Sequence, residues 1–270
     1  DEEIKPTNDD LLTSKIKINL QNDKFNLETG MSSYENLQKI NSDRYEFILP
    51  YYNLSAELND GKEYGYLNFL SQGSNILKNT NNLRSRIIND FDFRGLDLIS
   101  KSGLQNNINI YVKNLITSGK NDEDYNSSVD TNLLGIFEFK SKFPMIKDNQ
   151  DFINYLEPKI SIRYNPSNMI DHSGTSRRIN NDNIFDINRL GLDDTLESGA
   201  SVTMGIDYKK ENLNNINNYF ELKLGTILRD KKNTNIPLTS GITEKHSNFY
   251  GQIRNNFNEN IALNYDFSID

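Results

Sequence analysis

Links between the periodic segments of this chain alternate short and long, and that alternation restricts the fold more than any other feature of the sequence. Segments with two-residue hydrophobic periodicity run at 11–20, 24–35, 45–58, 64–70, 83–93, 103–113, 132–140, 155–165, 199–208, 219–229, 248–257 and 260–269. The links 21–23, 59–63, 94–102, 141–154, 209–218 and 258–259 read as tight or of medium length. Those between them, 36–44, 71–82, 114–131, 166–198 and 230–247, read as longer, the fourth by far the longest. A meander with tight turns on one rim and long loops on the other is the plan of an outer-membrane β-barrel. A soluble sandwich has no reason to keep that asymmetry. The expected fold is therefore all-β, an antiparallel up-and-down transmembrane barrel. Residues 1–270 would form a partial barrel of about twelve strands taken from a larger one.

Successive side chains of a strand point to opposite faces, so a clean split of character at every second residue identifies strands and not helices. Ile261, Leu263, Tyr265, Phe267 and Ile269 oppose Ala262, Asn264, Asp266 and Ser268. Leu156, Pro158, Ile160, Ile162 and Tyr164 alternate with Glu157, Lys159, Ser161 and Arg163, and Ala200, Val202, Met204, Ile206 and Tyr208 with Ser201, Thr203, Gly205 and Asp207. Most runs reach the length a tilted strand needs to cross a bilayer, longer than strands in soluble proteins. The second face carries ions, among them Glu157, Lys159, Arg163, Glu221 and Lys223, as a wet lumen tolerates. Tyr45, Tyr64, Tyr164, Tyr208, Tyr219 and Phe249 sit towards strand ends, where aromatic girdles belong. Pro158 lies inside a strand pattern without a donor for the ladder, and a bulge is expected there.

Composition removes several function classes. No run of 18 apolar residues exists, so a transmembrane helix is excluded. The opening Asp1-Glu2-Glu3-Ile4-Lys5-Pro6 is not a signal peptide, and the last residues stop inside a strand pattern, so both ends read as cuts in a longer chain. Cysteine is absent, which rules out thiolate chemistry and disulfides within these residues. The net charge of -8 argues against nucleic acid as a partner. His172 and His246 are the only histidines, and neither has the spacing of a metal site or a catalytic triad. No enzymatic activity and no cofactor are expected.

Two stretches are more specific than the periodicity. The first is Asn8-Asp9-Asp10-Leu11-Leu12-Thr13-Ser14, followed after two strands by Phe47-Ile48-Leu49-Pro50. The second runs through Leu156-Glu157-Pro158 and Tyr164-Asn165-Pro166 to Asn183-Ile184-Phe185-Asp186-Ile187-Asn188-Arg189-Leu190-Gly191-Leu192-Asp193-Asp194, then Glu197-Ser198-Gly199 and Met204-Gly205. In this order the motifs resemble the LPS-assembly outer-membrane protein family, LptD or OstA, and its alphaproteobacterial barrels most of all. The resemblance extends from Asn8 to the end and is strongest over 156–208. Leu190 departs from the usual aromatic and Asp194 from the usual Arg.

The resemblance implies a very large barrel of about twenty-six strands, preceded by a periplasmic jelly-roll domain and plugged by a small outer-membrane lipoprotein (LptE-like). It implies localisation in the Gram-negative outer membrane and lipopolysaccharide as cargo, received from periplasmic bridge proteins through the N-terminal domain and placed in the outer leaflet. This chain would supply wall and extracellular loops, facing membrane lipid, without the jelly roll or the first strands that form the lateral exit.

Candidate residues follow from the long loop and from one charged strand. A loop of the length of 166–198 is usually functional or disordered. Phe185, Leu190 and Leu192 would anchor it in the barrel mouth, and Arg189 would pair with Asp186, Asp193, Asp194 or Glu197. Phe185, Asp186, Asn188, Arg189, Gly191, Asp193, Glu197 and Gly199 are the structured-loop candidates, for plug or mouth contacts; the bland alternative is a solvated loop. Asp193, Asp194 and Glu197 would suit a hard cation, although acidic loops are more often simply solvated. Arg84, Arg86, Asp90 and Asp92 share a strand face opposite Leu83, Ile87, Phe91 and Phe93. They would either meet phosphates of lipid A or form an internal lattice of ion pairs. Against the lipopolysaccharide reading stand a general porin or transporter barrel and a soluble all-β glycan-binding module.

Overall fold

The computed structural model describes residues 10–59, 61, 63–258 and 260–270; Asn8 and Asp9 of the opening motif lie outside them. Its strands are β1 (Leu11–Gln21), β2 (Phe25–Asn36), β3 (Tyr45–Glu57), β4 (Gly65–Lys78), β5 (Asn82–Gly95), β6 (Leu98–Ile99), β7 (Gln105–Lys120), β8 (Asp130–Lys142), β9 (Met145–Asp148), β10 (Phe152–Asn165), β11 (Gly199–Asn212), β12 (Tyr219–Arg229), β13 (Phe249–Asn258) and β14 (Ile261–Ile269). They belong to one sheet, ordered β1-β2-β3-β4-β5-β7-β8-β10-β11-β12-β13-β14, with the short β6 on β7 and β9 on β10. Each step on that path joins consecutive long strands, with only the short β6 and β9 passed over, through antiparallel pairing, which makes an up-and-down meander. Its twelve strands are the twelve read from periodicity, and the fold is the all-β partial barrel expected. No helix among the described residues is long and apolar enough to cross a membrane.

The chain divides into two compact units, residues 1–60, 66–92 and 113–133, and residues 61–65, 93–112 and 134–270. In the second unit burial runs opposite to that of a soluble protein. On β10, Arg163 is 4% exposed, while Ile162 is 47% and Tyr164 53% exposed. On β8, Glu138 is buried and Phe137 and Phe139 are exposed; on β11, Ser201 and Thr203 are buried and Met204 and Ile206 exposed. A water-soluble sheet hides the apolar set and solvates the ions. Here polar side chains face a covered interior and apolar ones an open exterior, the arrangement a lipid-facing wall requires.

The first unit keeps the same two faces. Paired residues of an antiparallel sheet share a face, and the ladders Ile18↔Thr29, Leu20↔Leu27, Leu27↔Leu54 and Thr29↔Tyr52 assemble an apolar surface from three strands. Ile16, Ile18 and Leu20 on it are exposed. The opposite face is ionic: Lys17 meets Glu28 at 2.5 Å, and the buried Lys113 meets Asp90 at 2.8 Å.

Three sequence expectations need correction. The alternation of link lengths holds in the later half, where 166–198 and 230–248 contrast with 213–218 and 259–260, but not earlier. β4 continues to Lys78 and β7 to Lys120, so the expected long link 71–82 shrinks to 79–81. There Asn79 and Thr80 take φ of 53° and 55°, and the Asn81 amide donates to the Lys78 carbonyl at 3.2 Å, the left-handed backbone that tight hairpins favour.

Pro158 makes no bulge. The β10–β11 register runs through Pro158↔Ile206 without a shift. The Phe143 amide donates to the Pro158 carbonyl, so the missing donor of Pro158 points the same way, towards β8 and β9. That side of the ladder is interrupted between Lys159↔Lys142 and Leu156↔Met145, in unchanged register. The register shift of a bulge lies instead between Ile48 and Tyr51, at the Leu49-Pro50 of the first motif. Among the expected girdle aromatics, Tyr64 precedes β4, and Tyr219 sits on the ionic face, with the Lys209 ammonium 5.0 Å from its ring.

If the open face is the lipid face, Ile206→Arg in the full-length protein should cost about 2–4 kcal/mol of folding free energy in lipid vesicles. Gln72→Arg, on the ionic face, should cost less than about 1 kcal/mol. Denaturant titration of vesicle-reconstituted protein measures both.

Candidate functional site

The interior of the second unit is filled by its two long loops. In 166–198, Asn180 caps a short turn by accepting from the amide of Asp182 at 3.0 Å, and its carbonyl accepts from Ile184 at 3.0 Å. Gly191, at φ 57°, closes the next turn with its amide on the Asn188 carbonyl. These turns project apolar side chains inward. Met169, Ile179, Ile184, Leu190 and Leu192 pack with Ile236 and Ile242 of 230–248 and with Ile227 and Tyr250 of β12 and β13. Ile187 and Leu196 pack with Tyr111, Leu134 and Ile136 of β7 and β8. The loops are also tied to each other: the Asn235 amide donates to the Met169 carbonyl at 3.0 Å, and Asn233 to Ser198 at 3.0 Å.

Two glycines make room for this packing. Gly205 and Gly225 face each other across β11 and β12. A Cβ on Gly205 would stand 2.8 Å from ring atoms of Phe185, and one on Gly225 3.1 Å from Ile184. Phe185 therefore packs directly against the sheet at Gly205, with the Lys159 ammonium 4.6 Å from its centroid.

At the centre is a buried carboxylate. Glu197 accepts from Arg189 Nε at 2.7 Å and from Arg189 Nη2, from Arg163 Nη1 at 3.2 Å, and from Arg229 Nη1. All four side chains are almost wholly inaccessible to solvent. Arg189 spends its other hydrogens on Thr203 at 2.9 Å and Ser201 at 3.1 Å of β11. Arg163 of β10 also donates to the Ile187 carbonyl, and Arg229 of β12 to the Ser198 carbonyl at 2.7 Å. One carboxylate thus ties the loop to β10, β11 and β12. Burial by itself would push the Glu197 carboxyl up; the guanidiniums, Arg189 foremost and then Arg163, outweigh it and hold the group well below the usual carboxylate range.

Of the loop candidates, the structure brings together Arg189 and Glu197, while Phe185 packs elsewhere, on Gly205 and the apolar cluster. Asp186, Gly191 and Asp193 are exposed, Asn188 is half-buried, and Gly199 begins β11 at φ 88°. The three carboxylates considered for a cation do not converge: Glu197 turns inward to arginine, Asp193 faces out, and Asp194 lies 2.8 Å from His172. Among the described residues no group of three His, Asp or Glu is placed to hold a metal.

In the first unit Arg84, Arg86, Asp90 and Asp92 share the ionic face, where Arg84 and Asp90 take different partners. Arg84 grips Asp122 through two bonds of 2.9 Å and Asp124 at 2.6 Å, with Tyr125 stacked 4.8 Å away. This bonding holds the Asp122 carboxyl below its ordinary range. Asp90 meets Lys113 instead.

Sequence reading missed Arg229, Thr203, Ser201 and the placement of Arg163. A signal existed: the one Glu of the 183–199 motif follows the apolar Leu196, with inward-facing arginines at the ends of the strands flanking the long loops.

Glu197→Gln strands three buried guanidiniums without their counter-charge, and should cost about 3–5 kcal/mol. Limited proteolysis should then cut within 166–198 far faster than in the parent protein. Because the folded carboxyl is depressed, its contribution is complete above the unfolded carboxylate range and is lost as pH falls through that range towards the folded value. Proteolytic protection of the parent loop should accordingly be flat across neutral pH and fail only in strong acid.

A comparison with curated proteins gives no match. The family model described as LptD, LPS transport system D, matches residues 4–270, a span that takes in the meander, the inward-folded loop and its buried carboxylate. The chain therefore belongs to the LPS transport system D family, LptD, a transport and assembly family that serves lipopolysaccharide assembly in the outer membrane.

Proposed function

We propose that this chain forms wall and extracellular loops of a larger barrel in the Gram-negative outer membrane, and that loop 166–198 is a fixed element narrowing the mouth beside a small plug lipoprotein. The observation that carries this reading is the Glu197 group. A loop bound by one buried carboxylate and three guanidiniums, from its own turn and two strands, has a defined surface to present. That surface holds Asp186, Gly191 and Asp193, which are exposed beside the buried Ile187, Leu190 and Leu192. An LptE-like lipoprotein is the partner assigned to it. The periplasmic bridge proteins would reach the assembly through a jelly-roll domain of the family type.

For Arg84, Arg86, Asp90 and Asp92 the internal lattice is the better reading. Arg84 and Asp90 are both engaged within their own unit, so this group stiffens the wall and its loop 121–129 more than it reads lipid A phosphates.

A photo-crosslinking amino acid at Asp186 or Asp193 of the full-length protein should capture the plug lipoprotein in cells, whereas one at Lys147, on the opposite rim of the same unit, should not. Crosslinks to the lipoprotein absent at both loop positions would contradict the assignment. Gly205→Leu should displace Phe185 and lower the crosslinking yield from Asp186 while leaving the barrel folded, since overpacking at one site costs about 1–3 kcal/mol.

A further inference from the structure

The open face of the first unit is not apolar throughout. The pairs Tyr52↔Gly73 and Leu54↔Ser71 put Tyr52 and Ser71 on the same face as Leu27 and Leu54. Ser71 Oγ donates to Asn89 Oδ1 at 2.7 Å and lies 3.1 Å from the Tyr52 hydroxyl; Asn89 Nδ2 donates to Asn114 Oδ1 at 3.3 Å. The tilted ring pair Phe69 and Phe91, 4.7 Å apart, places β5 residues of this parity on the same face. A hydrogen-bonded row therefore crosses β3, β4, β5 and β7 within a surface otherwise suited to hydrocarbon.

The row has a direction. Ser71 has one hydroxyl hydrogen and gives it to Asn89, so Tyr52 donates to Ser71. Asn89 in turn donates to Asn114, and the row ends on an amide that brings two N–H donors. It therefore offers donors to whatever lies outside.

Beside it, at the end of the strands that carries the turn 79–81 and the loop 121–129, is a cavity of about 200 Å³ lined by Pro50, Tyr52, Gly73, Ile87, Ile116 and Val129 among others. Gly73 keeps its floor low, because a Cβ there would collide with the Tyr52 ring. Ile116 stands two residues beyond Asn114 on the same face of β7. An apolar hollow beside a donor-terminated polar row is complementary to a hydrocarbon chain that ends in a carbonyl.

We propose that this cavity seats an acyl chain of a membrane lipid, with the ester or amide carbonyl at the head of that chain accepting from the Asn114 amide. The assignment rests on the reading that the open face lies in lipid. Phospholipids and lipid A both carry such chains, and the chemistry is shared.

The test uses the full-length protein in phosphatidylethanolamine vesicles doped with a phosphatidylethanolamine bearing a diazirine on its acyl chain. Photolysis followed by peptide mapping should concentrate adducts on residues 73–75, 85–87 and 116–118. Ile87→Trp, which fills the cavity, should lower those adducts, and Asn114→Leu, which removes the donor, should lower them about fivefold, the loss expected for one hydrogen bond. Ile116→Trp fills the same hollow, should either variant fail to fold. Competition by unlabelled phospholipid or by lipid A identifies the source, and either supports the site; competition by neither overturns it. Adducts spread evenly over open-face positions, Met204 and Ile206 included, or unchanged in the variants, would also overturn the site while leaving the lipid face intact. Adducts absent from every open-face strand would overturn the lipid face as well.

Discussion

In hydrocarbon a backbone amide has no water to turn to, and each one left unpaired costs several kcal/mol. Much of this structure follows from that constraint. It requires long antiparallel neighbours joined in sequence order, because such pairing satisfies every interior strand on both sides. It also explains why the side chains are arranged inside out, with Arg163 and Glu138 covered and Ile162 and Phe137 open. Prolines appear where the ladder has an interruption to place: Pro158 opens a gap towards β8 and β9, and Pro50 sits at a register shift of β3.

An interior lined with ions must still be filled or solvated. The second unit fills it with its own loops, and electrostatics decides how. Three guanidiniums taken out of water would be untenable alone; around Glu197 they become a junction from which 166–198 reaches three strands. Apolar packing through Ile184, Leu190, Leu192 and Ile242 then closes over a charge group that is already paired. The loop is in this sense part of the wall's interior surface, and under the proposed function its exposed residues are those that a mouth-facing partner would meet.

Much of the fold could be read from the sequence because lipid on one side and polar groups on the other impose the same two-residue rhythm on most strands. β14, residues 156–164 of β10 and 200–208 of β11 show it without interruption. The rhythm lapses at 71–78 and 114–120, where the sequence predicts loop and the chain is strand. Ser71, Gly73 and Asn75 on β4, and Asn114 and Ser118 on β7, put polar or absent side chains where the rhythm demands apolar ones. Local rules tend to break where a chain does more than fold. Arg189 and Glu197 were legible as candidates from their motif. Arg229 and Thr203 were not, because contacts between distant strands and a loop depend on registers that one sequence does not reveal.

The central claim, that lipid touches the apolar parity of these strands and polar groups the other, is open to a direct reading on β10. Nitroxide labels placed one at a time at 160, 161, 162, 163 and 164 of the vesicle-reconstituted full-length protein report collisions with oxygen, which partitions into lipid, and with a water-soluble nickel chelate. The account predicts high oxygen accessibility at 160, 162 and 164 and low values at 161 and 163. The reverse parity, or nickel accessibility that exceeds oxygen at 160, 162 and 164, would contradict it.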